Sequence, residues 1–345
     1  MSKQPVGTAH TPAAGLEPAA RPGQVNTVSG PVDADQLGFT LVHEHFSFNF
    51  GGWYADSTLY PYDANKVKEL ALKWLADVKA VGVKTVVDLT PNDCGLRDPK
   101  LFRELANQTG INIICCTGLY TETHGAPRYW MYRQSLGCDI GKEISEMMIT
   151  EITRGIGDTK IKAGVIKVAT GATITPYEEQ VIRAASIARN ATGVPVFTHC
   201  DDDTVGIAQV DMFKKYEADM RYVAIGHMNN SSDINYLKAI LAKDPHVTLS
   251  FDRTGVFGTE RDELTASLIA RLISVDAAVA SRIVFGHDYV PYWPGRLPEY
   301  TPAVNWYPTY VAKGFHDLLI ADGVTEAQFE QMTTANPKRL YSGLK

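Results

Sequence analysis

The chain has 345 residues, 45% hydrophobic and 21% charged, with a net charge of −6. That length suits one large domain or two average ones, and the acidic balance gives no basic face for nucleic acid or anionic lipid. No run of 18 apolar residues offers a membrane span, no charged-then-apolar leader opens the chain, and five cysteines without CxxC spacing read as buried thiols of a cytoplasmic protein rather than a disulfide framework.

Residues 1–23 are rich in Ala, Pro, Gly and Thr and carry Pro5, Pro12, Pro18 and Pro22, the composition of a flexible tail. The remainder, 24–345, reads as a single domain. Short apolar runs rich in Val and Ile occupy 38–43, 83–90, 111–117, 162–168, 194–199, 222–227, 246–251 and 282–288. Their nearly continuous hydrophobicity is that of strands buried on both faces of a parallel sheet. Helical patterns lie between them. Residues 63–81 place Val67, Leu70, Trp74 and Val78, with Leu72 flanking, near helical spacing. Residues 176–192 open on a capping Thr175, a first-turn Pro176 and two glutamates. Residues 231–243 and 260–275 repeat the theme. Eight strands alternating with helices predict a closed (β/α)₈ TIM barrel, with a doubly wound open sheet as the structural alternative.

Two long segments exceed a minimal barrel. Residues 118–139 follow the third strand with Tyr120, Glu122, His124, Tyr129, Trp130 and Tyr132. Residues 289–312 follow the eighth with Tyr289, Tyr292, Trp293, Tyr300, Trp306, Tyr307 and Tyr310. Both fall on the face where barrel active sites form. Their aromatics either wall an apolar substrate pocket or pack as a satellite core under the loops.

The chemistry collects at strand ends. In LVHEHF, His43 and His45 are two apart and share a strand face, with Glu44 turned away. His199 ends VFTH, His227 ends AIGH, and Asp288 ends FGHD. Imidazoles and a carboxylate converging at carboxyl ends are a metal-binding pattern. Lys167 lies within the apolar strand AGVIKVAT, where alternation sets Val165 and Lys167 on one face and Ile166 and Val168 on the other. A buried ammonium is costly unless neutralised or paired. Reaction of its amine with carbon dioxide would give a carbamate, an anionic ligand able to bridge two cations, while pairing with a carboxylate is the plainer reading.

Taken with VNTVSGPVDADQLGFTLVHEHF, the FDRTG segment and the closing NPKRL, these motifs resemble the phosphotriesterase family of the amidohydrolase superfamily over about Val25 to Leu344, in the pattern of its phosphotriesterase-like lactonases. The resemblance implies two divalent metal ions per chain, zinc first, with cobalt, manganese or iron suiting the same donors. It implies that His43, His45 and Asp288 bind the more buried ion and His199 and His227 the more exposed one. A carboxylated Lys167 and a hydroxide would bridge them, and Asp288 would take the attacking hydroxide's proton.

The same resemblance orders the substrates. Tyr120 and Arg253 stand where lactonase-type members carry a tyrosine beside the metals and an arginine under the substrate loop. Phosphotriesterases proper resemble this stretch with a histidine at the position of Arg253 and an aspartate at that of Asn230, a proton relay this chain lacks. A small-molecule lactone or related carboxylic ester is therefore expected, ahead of phosphotriesters and of amides or carbamates. A single-metal deaminase would carry a glutamate rather than the strand-four lysine, and a metal-holding binding protein would be favoured by missing ligands, whereas all six are present. A homodimer is compatible with this reading.

Overall fold

In a computed structural model, residues 21–296 and 302–344 are described. Of the tail expected over residues 1–23, all but the last three lie outside the described residues, as does Tyr300.

The chain enters through an antiparallel hairpin, β1 (Gln24–Thr27) and β2 (Gly30–Asp33). Each strand has four residues, three of them polar in β1 and two of them polar or glycine in β2, so no apolar run marks it. Eight parallel strands follow: β3 (Thr40–Glu44), β4 (Thr85–Asp88), β5 (Asn112–Leu119), β6 (Val165–Thr170), β7 (Val196–Cys200), β8 (Val223–Ile225), β9 (Thr248–Phe251) and β10 (Ile283–Phe285). They pair in chain order. The amide of Asp288 donates to the carbonyl of His43 at 3.0 Å, and that of His45 donates to the carbonyl of Tyr289 at 2.9 Å, closing the barrel between its ends. The open-sheet alternative is thereby replaced by the (β/α)₈ barrel.

The surrounding helices are α1 (Ala64–Ala80), α2 (Pro99–Thr109), α3 (Arg128–Ser135), α4 (Ile140–Thr153), α5 (Pro176–Thr192), α6 (Gly206–Lys215), α7 (Ile234–Lys243), α8 (Thr259–Val275), α9 (Gly314–Ala321), α10 (Glu326–Glu330) and α11 (Asn336–Tyr341). Local chemistry sets their ends. Asp63 accepts from the Lys66 amide to start α1, and Thr175 and Glu178 form a reciprocal capping box on α5. The stripe that α1 buries is Val67, Ala71, Trp74, Leu75 and Val78. Leu70 and Leu72 are only partly covered, a correction to the expected face: the small Ala71 completes the helical spacing better than its bulkier neighbours.

Two apolar layers result. Alternate strand residues such as Ile166, Val168 and Cys200 pack outward against the helices, and the other set, including Val42, Val165 and Phe197, fills the barrel interior. Pairing of β3 with β4 slips between Leu41 and Glu44, which lets both Val42 and its neighbour His43 turn inward. Among the described residues no helix is long and apolar enough to cross a membrane.

Candidate metal centre

His43, His45, Lys167, His199 and Asp288 line one cavity of about 310 Å³ at the carboxyl ends of the strands, and His227 contacts His199 at its floor. Lys167 reaches it because β6 alternates as expected, Val165 below it inside the barrel and Ile166 and Val168 outside. Its neighbour strand passes very close. Gly118 has φ 145°, and a Cβ there would stand 1.7 Å from the Lys167 carbonyl oxygen, so only glycine permits this approach. His227 (φ 59°) and Asp288 (φ 52°) both adopt left-handed backbone, a strain of about 1–3 kcal/mol each that surrounding bonds must hold. The His227 amide donates to Asp252 at 2.7 Å, and that of Asp288 to the His43 carbonyl.

Each imidazole is fixed by one nitrogen, leaving the other for the cavity. His43 Nδ1 and His227 Nδ1 each donate at 2.8 Å to the Asp252 carboxylate, which also accepts from the Ser250 hydroxyl. His45 Nδ1 donates at 2.8 Å to Thr90 Oγ1, whose own proton goes to the Ser47 carbonyl. His199 Nε2 donates at 2.5 Å to Asp201. Burial alone would raise the pKa of Asp252, but His227 and His43 hold it well below the usual carboxylate range, so it stays an acceptor.

The nitrogens left over face other acceptors. His45 Nε2 lies 2.9 Å and His43 Nε2 3.3 Å from Asp288 Oδ1, and His227 Nε2 lies 2.7 Å from His199 Nδ1. With their protons committed to the outer partners, these are lone pairs pointed at lone pairs, an arrangement that a cation between them relieves. Protonation is a poor substitute, because burial lowers the His199 pKa to about 4 and takes that of His227 well below its ordinary value. The donor set, neutral imidazoles and carboxylate, fits divalent transition ions. His43, His45 and Asp288 bring ligand atoms within 4.8 Å of one another, as do His43, His227 and Asp252. In the second group the carboxylate oxygens are already taken by imidazole N–H groups, so Asp252 orients the two imidazoles and has no oxygen free to join them around an ion.

Lys167 Nζ lies 3.2 Å from His43 Nε2 and 3.5 Å from the Thr198 carbonyl, and burial lowers its pKa to about 8. Among the described residues it has no carboxylate partner, so the plainer reading of a paired ammonium lacks its counterion. Arg253 Nε donates to Asp288 Oδ2 at 3.0 Å and its Nη1 to Asn230 at 3.3 Å, placing a permanent cation on the outer oxygen of Asp288. Burial would raise the Asp288 pKa, yet His43, His45, His227 and Arg253 together keep it well below the usual range. The Tyr120 hydroxyl lies 3.2 Å from His199 Nδ1.

The cavity wall is apolar, built from Phe48, Phe50, Val256, Val290, Trp293 and Trp306. Of the loop aromatics among the described residues, Tyr120, Trp293 and Trp306 line it. Tyr289, Tyr292, Tyr307 and Trp130 pack on the outer layer with the buried Tyr310, while Tyr129 and Tyr132 are 61% and 65% exposed on α3. Trp306 is tethered by its Nε1–H to the His287 carbonyl at 2.9 Å, and His287 is itself held by Glu44. Sequence reasoning passed over Phe48 and Phe50, although SFNF continues the HEHF strand into the mouth. It also passed over Asp93, which accepts from the Tyr120 and Ala126 amides, and Glu178, which ties the loop after β5 to that after β6.

Comparison with known proteins places this arrangement. Residues 23–341 match the model of the phosphotriesterase family. A phosphotriesterase homology protein of Mycobacterium tuberculosis is 34% identical over 326 residues, covering 92% of this chain and 97% of that one. The solved organophosphorus hydrolase from Deinococcus radiodurans aligns with TM-score 0.87 and 39% identity over 95% of this chain and all of its own. A further structure, described as the engineering of organophosphate hydrolysis activity from a weak promiscuous lactonase template, aligns with TM-score 0.87 and 38% identity over 92% of this chain and 99% of its own.

Proposed function

The chain belongs to the phosphotriesterase family of hydrolases, and on that premise we propose that it opens an uncharged lactone or related carboxylic ester using two divalent metal ions. His43, His45 and Asp288 would hold one ion, His199 and His227 the other, and a carboxylated Lys167 both, with zinc the expected metal. Bound there, such ions supply Lewis acidity to the acyl oxygen and acidify water.

The observation that carries the lactone reading is Arg253 on Asp288 Oδ2. Water adds to the acyl carbon and its proton passes to Asp288. An arginine cannot accept that proton and relay it outward, so Asp288 must return it within the cavity. A lactone's ring oxygen suits this: as the C–O bond breaks, the alkoxide is a strong base and stays tethered to the acyl group beside the carboxyl that protonates it. The Tyr120 hydroxyl can donate to the same oxygen. A phenolate leaving group needs neither. The wall of Phe48, Trp293 and Trp306 favours an apolar arm, and the guanidinium that lines the cavity, that of Arg253, is engaged by Asp288, which disfavours a phosphorylated substrate.

Phosphotriester hydrolysis is the second reading, supported by the organophosphate activities named for the solved relatives. Kinetics on lactones of graded chain length, an aryl ester and a phosphotriester separate the two. The best lactone should have the highest kcat/KM, and Tyr120→Phe should lower it by about 100-fold, the low end for a proton-donating group, with a smaller loss on the phosphotriester. Equal losses, or a wild-type preference for the phosphotriester over every lactone, would defeat the assignment.

A further inference from the structure

At the end of the barrel opposite the metal centre, the segments leading into β8, β9 and β10 meet α11 around a cleft of about 350 Å³. Its walls include Arg221, Tyr222, His246, Arg282, Arg339 and Ser342. Arg282 Nε donates to the Val247 carbonyl at 3.0 Å and its Nη2 to those of Leu241 and Asp244 at 3.1 and 2.6 Å. Arg339 Nη1 donates to the Arg221 carbonyl at 2.8 Å, and its Nη2 to Thr248 Oγ1 and the Ser281 carbonyl at 3.0 and 3.3 Å. Both guanidiniums are thus fixed in place by neutral oxygens. Among the described residues neither forms an ion pair, and Arg282 Nη1 and Arg339 Nε have no protein acceptor.

No carboxylate among the described residues closes to ion-pair distance on either guanidinium, although Asp244 and Asp276 act on Arg282 from farther off. Arg221 is paired with Asp219 at 2.6 Å, and Arg189 stacks on Tyr222 at 4.0 Å and shares the same aspartate at 3.7 Å. Asp244 and Asp276 are held in place by the His246 and Ala278 amides, beyond ion-pair distance of Arg282, and offset its burial only in part. Burial lowers the pKa of both Arg282 and Arg339, and the opposing effects of Asp244 and Asp276 on the first and of Tyr222 on the second do not cancel it. An acidic protein therefore keeps a partly buried, preorganised pair of guanidiniums that form no ion pair among the described residues, flanked by an imidazole and a serine hydroxyl. The groups left over, Arg282 Nη1 and Arg339 Nε, are charge-assisted donors of the kind a multidentate oxyanion can accept one by one, and fixing them in advance removes much of the entropy cost of binding.

We propose that this cleft binds a phosphate-class oxyanion, free or as a small monoester, which clamps the foot of the barrel by joining the segments before three adjacent strands to α11. Its effect is on stability and not on turnover, because the reacting groups lie at the other end.

Thermal melting of the metal-loaded enzyme in inorganic phosphate, against chloride at matched ionic strength, reads the site, with calorimetric titration giving the affinity. The wild-type Tm should climb with phosphate concentration. Arg339→Gln should bind phosphate at least tenfold more weakly, with kcat/KM unchanged. Since Arg339 also ties carbonyls, His246→Asp provides a variant that leaves those bonds intact and sets a negative charge at the exposed rim; it too should lose the phosphate-dependent climb. Glycerol 3-phosphate run alongside distinguishes the sources, a larger shift than phosphate marking a monoester site and an equal one a site for free phosphate. No climb above chloride in the wild type overturns the proposal. So does an equal climb in His246→Asp, which would place phosphate elsewhere, including at the metals.

Discussion

Asp252→Asn tests how the imidazoles are held. The native carboxylate accepts four hydrogens: the His227 amide at 2.7 Å and His227 Nδ1 at 2.8 Å on Oδ1, His43 Nδ1 at 2.8 Å and the Ser250 hydroxyl at 2.9 Å on Oδ2. An asparagine keeps one acceptor oxygen. The His227 amide can only donate, so that oxygen must take the Oδ1 place, and the new NH₂ faces His43. His43 then accepts at Nδ1 and carries its proton on Nε2, the nitrogen meant for metal. Losing an orienting partner of this kind costs about 10–100-fold in metal affinity or activity, about 1.4–2.7 kcal/mol. Chelator competition on the variant should show one ion, that of the His43 group, weakened by this factor, with the ion on His199 and His227 affected less. Wild-type affinity for both ions, with wild-type turnover, would refute the assignment of Asp252 as the residue that sets these tautomers.

Trp293→Ala removes one wall of the cavity and should shift the kcat/KM ratio between large and small substrates by about tenfold while both ions remain, as expected for a lost apolar contact; unchanged ratios across a chain-length series would mean the tryptophan only packs the scaffold. Away from the site, Arg97 and Glu151 form an ion pair at 3.0 Å with 10% and 13% exposure. Burial would raise the Glu151 pKa, but Arg97 holds it below the ordinary value. The pair's stabilisation is therefore full above the unfolded carboxyl pKa of about 4.3 and is lost as pH falls through the lower folded value. Glu151→Gln should cost about 3–5 kcal/mol in chemical unfolding at pH 7, and the gap to wild type should shrink below about pH 4; a gap constant with pH would contradict the pairing.

What the sequence disclosed follows from where the signal is local. All eight barrel strands were legible because both faces are buried, which leaves long Val and Ile runs. The β1–β2 hairpin was not, since four-residue strands made largely of polar residues and glycine carry no period. Lys167 stood out as a single polar residue in an apolar strand, and alternation grouped it with Val165, while the structure decides that this face is the interior one. Asp252 and Thr90 were illegible in their roles because each meets its imidazole across a long stretch of chain, Asp252 reaching His43 across 209 positions. Asp201 lies two residues from His199 and was simply one of three consecutive aspartates with nothing to single it out. Asp252 did end an apolar run just before Arg253, the same strand-end signal that marked Asp288. The loop aromatics show the limit of composition, because Tyr129 and Tyr132 sit on a helix that turns them to solvent, and no spacing in 118–139 distinguishes them from Tyr120.

Elemental analysis of the purified wild type and of Lys167→Ala bears most directly on the proposed binuclear centre. The wild type should hold close to two divalent transition ions per chain. Lys167→Ala should hold fewer and be almost inactive, with short carboxylic acids restoring part of both. One ion or none in a fully active wild type, or two ions and full activity without Lys167, would contradict a centre of two metals bridged through that lysine.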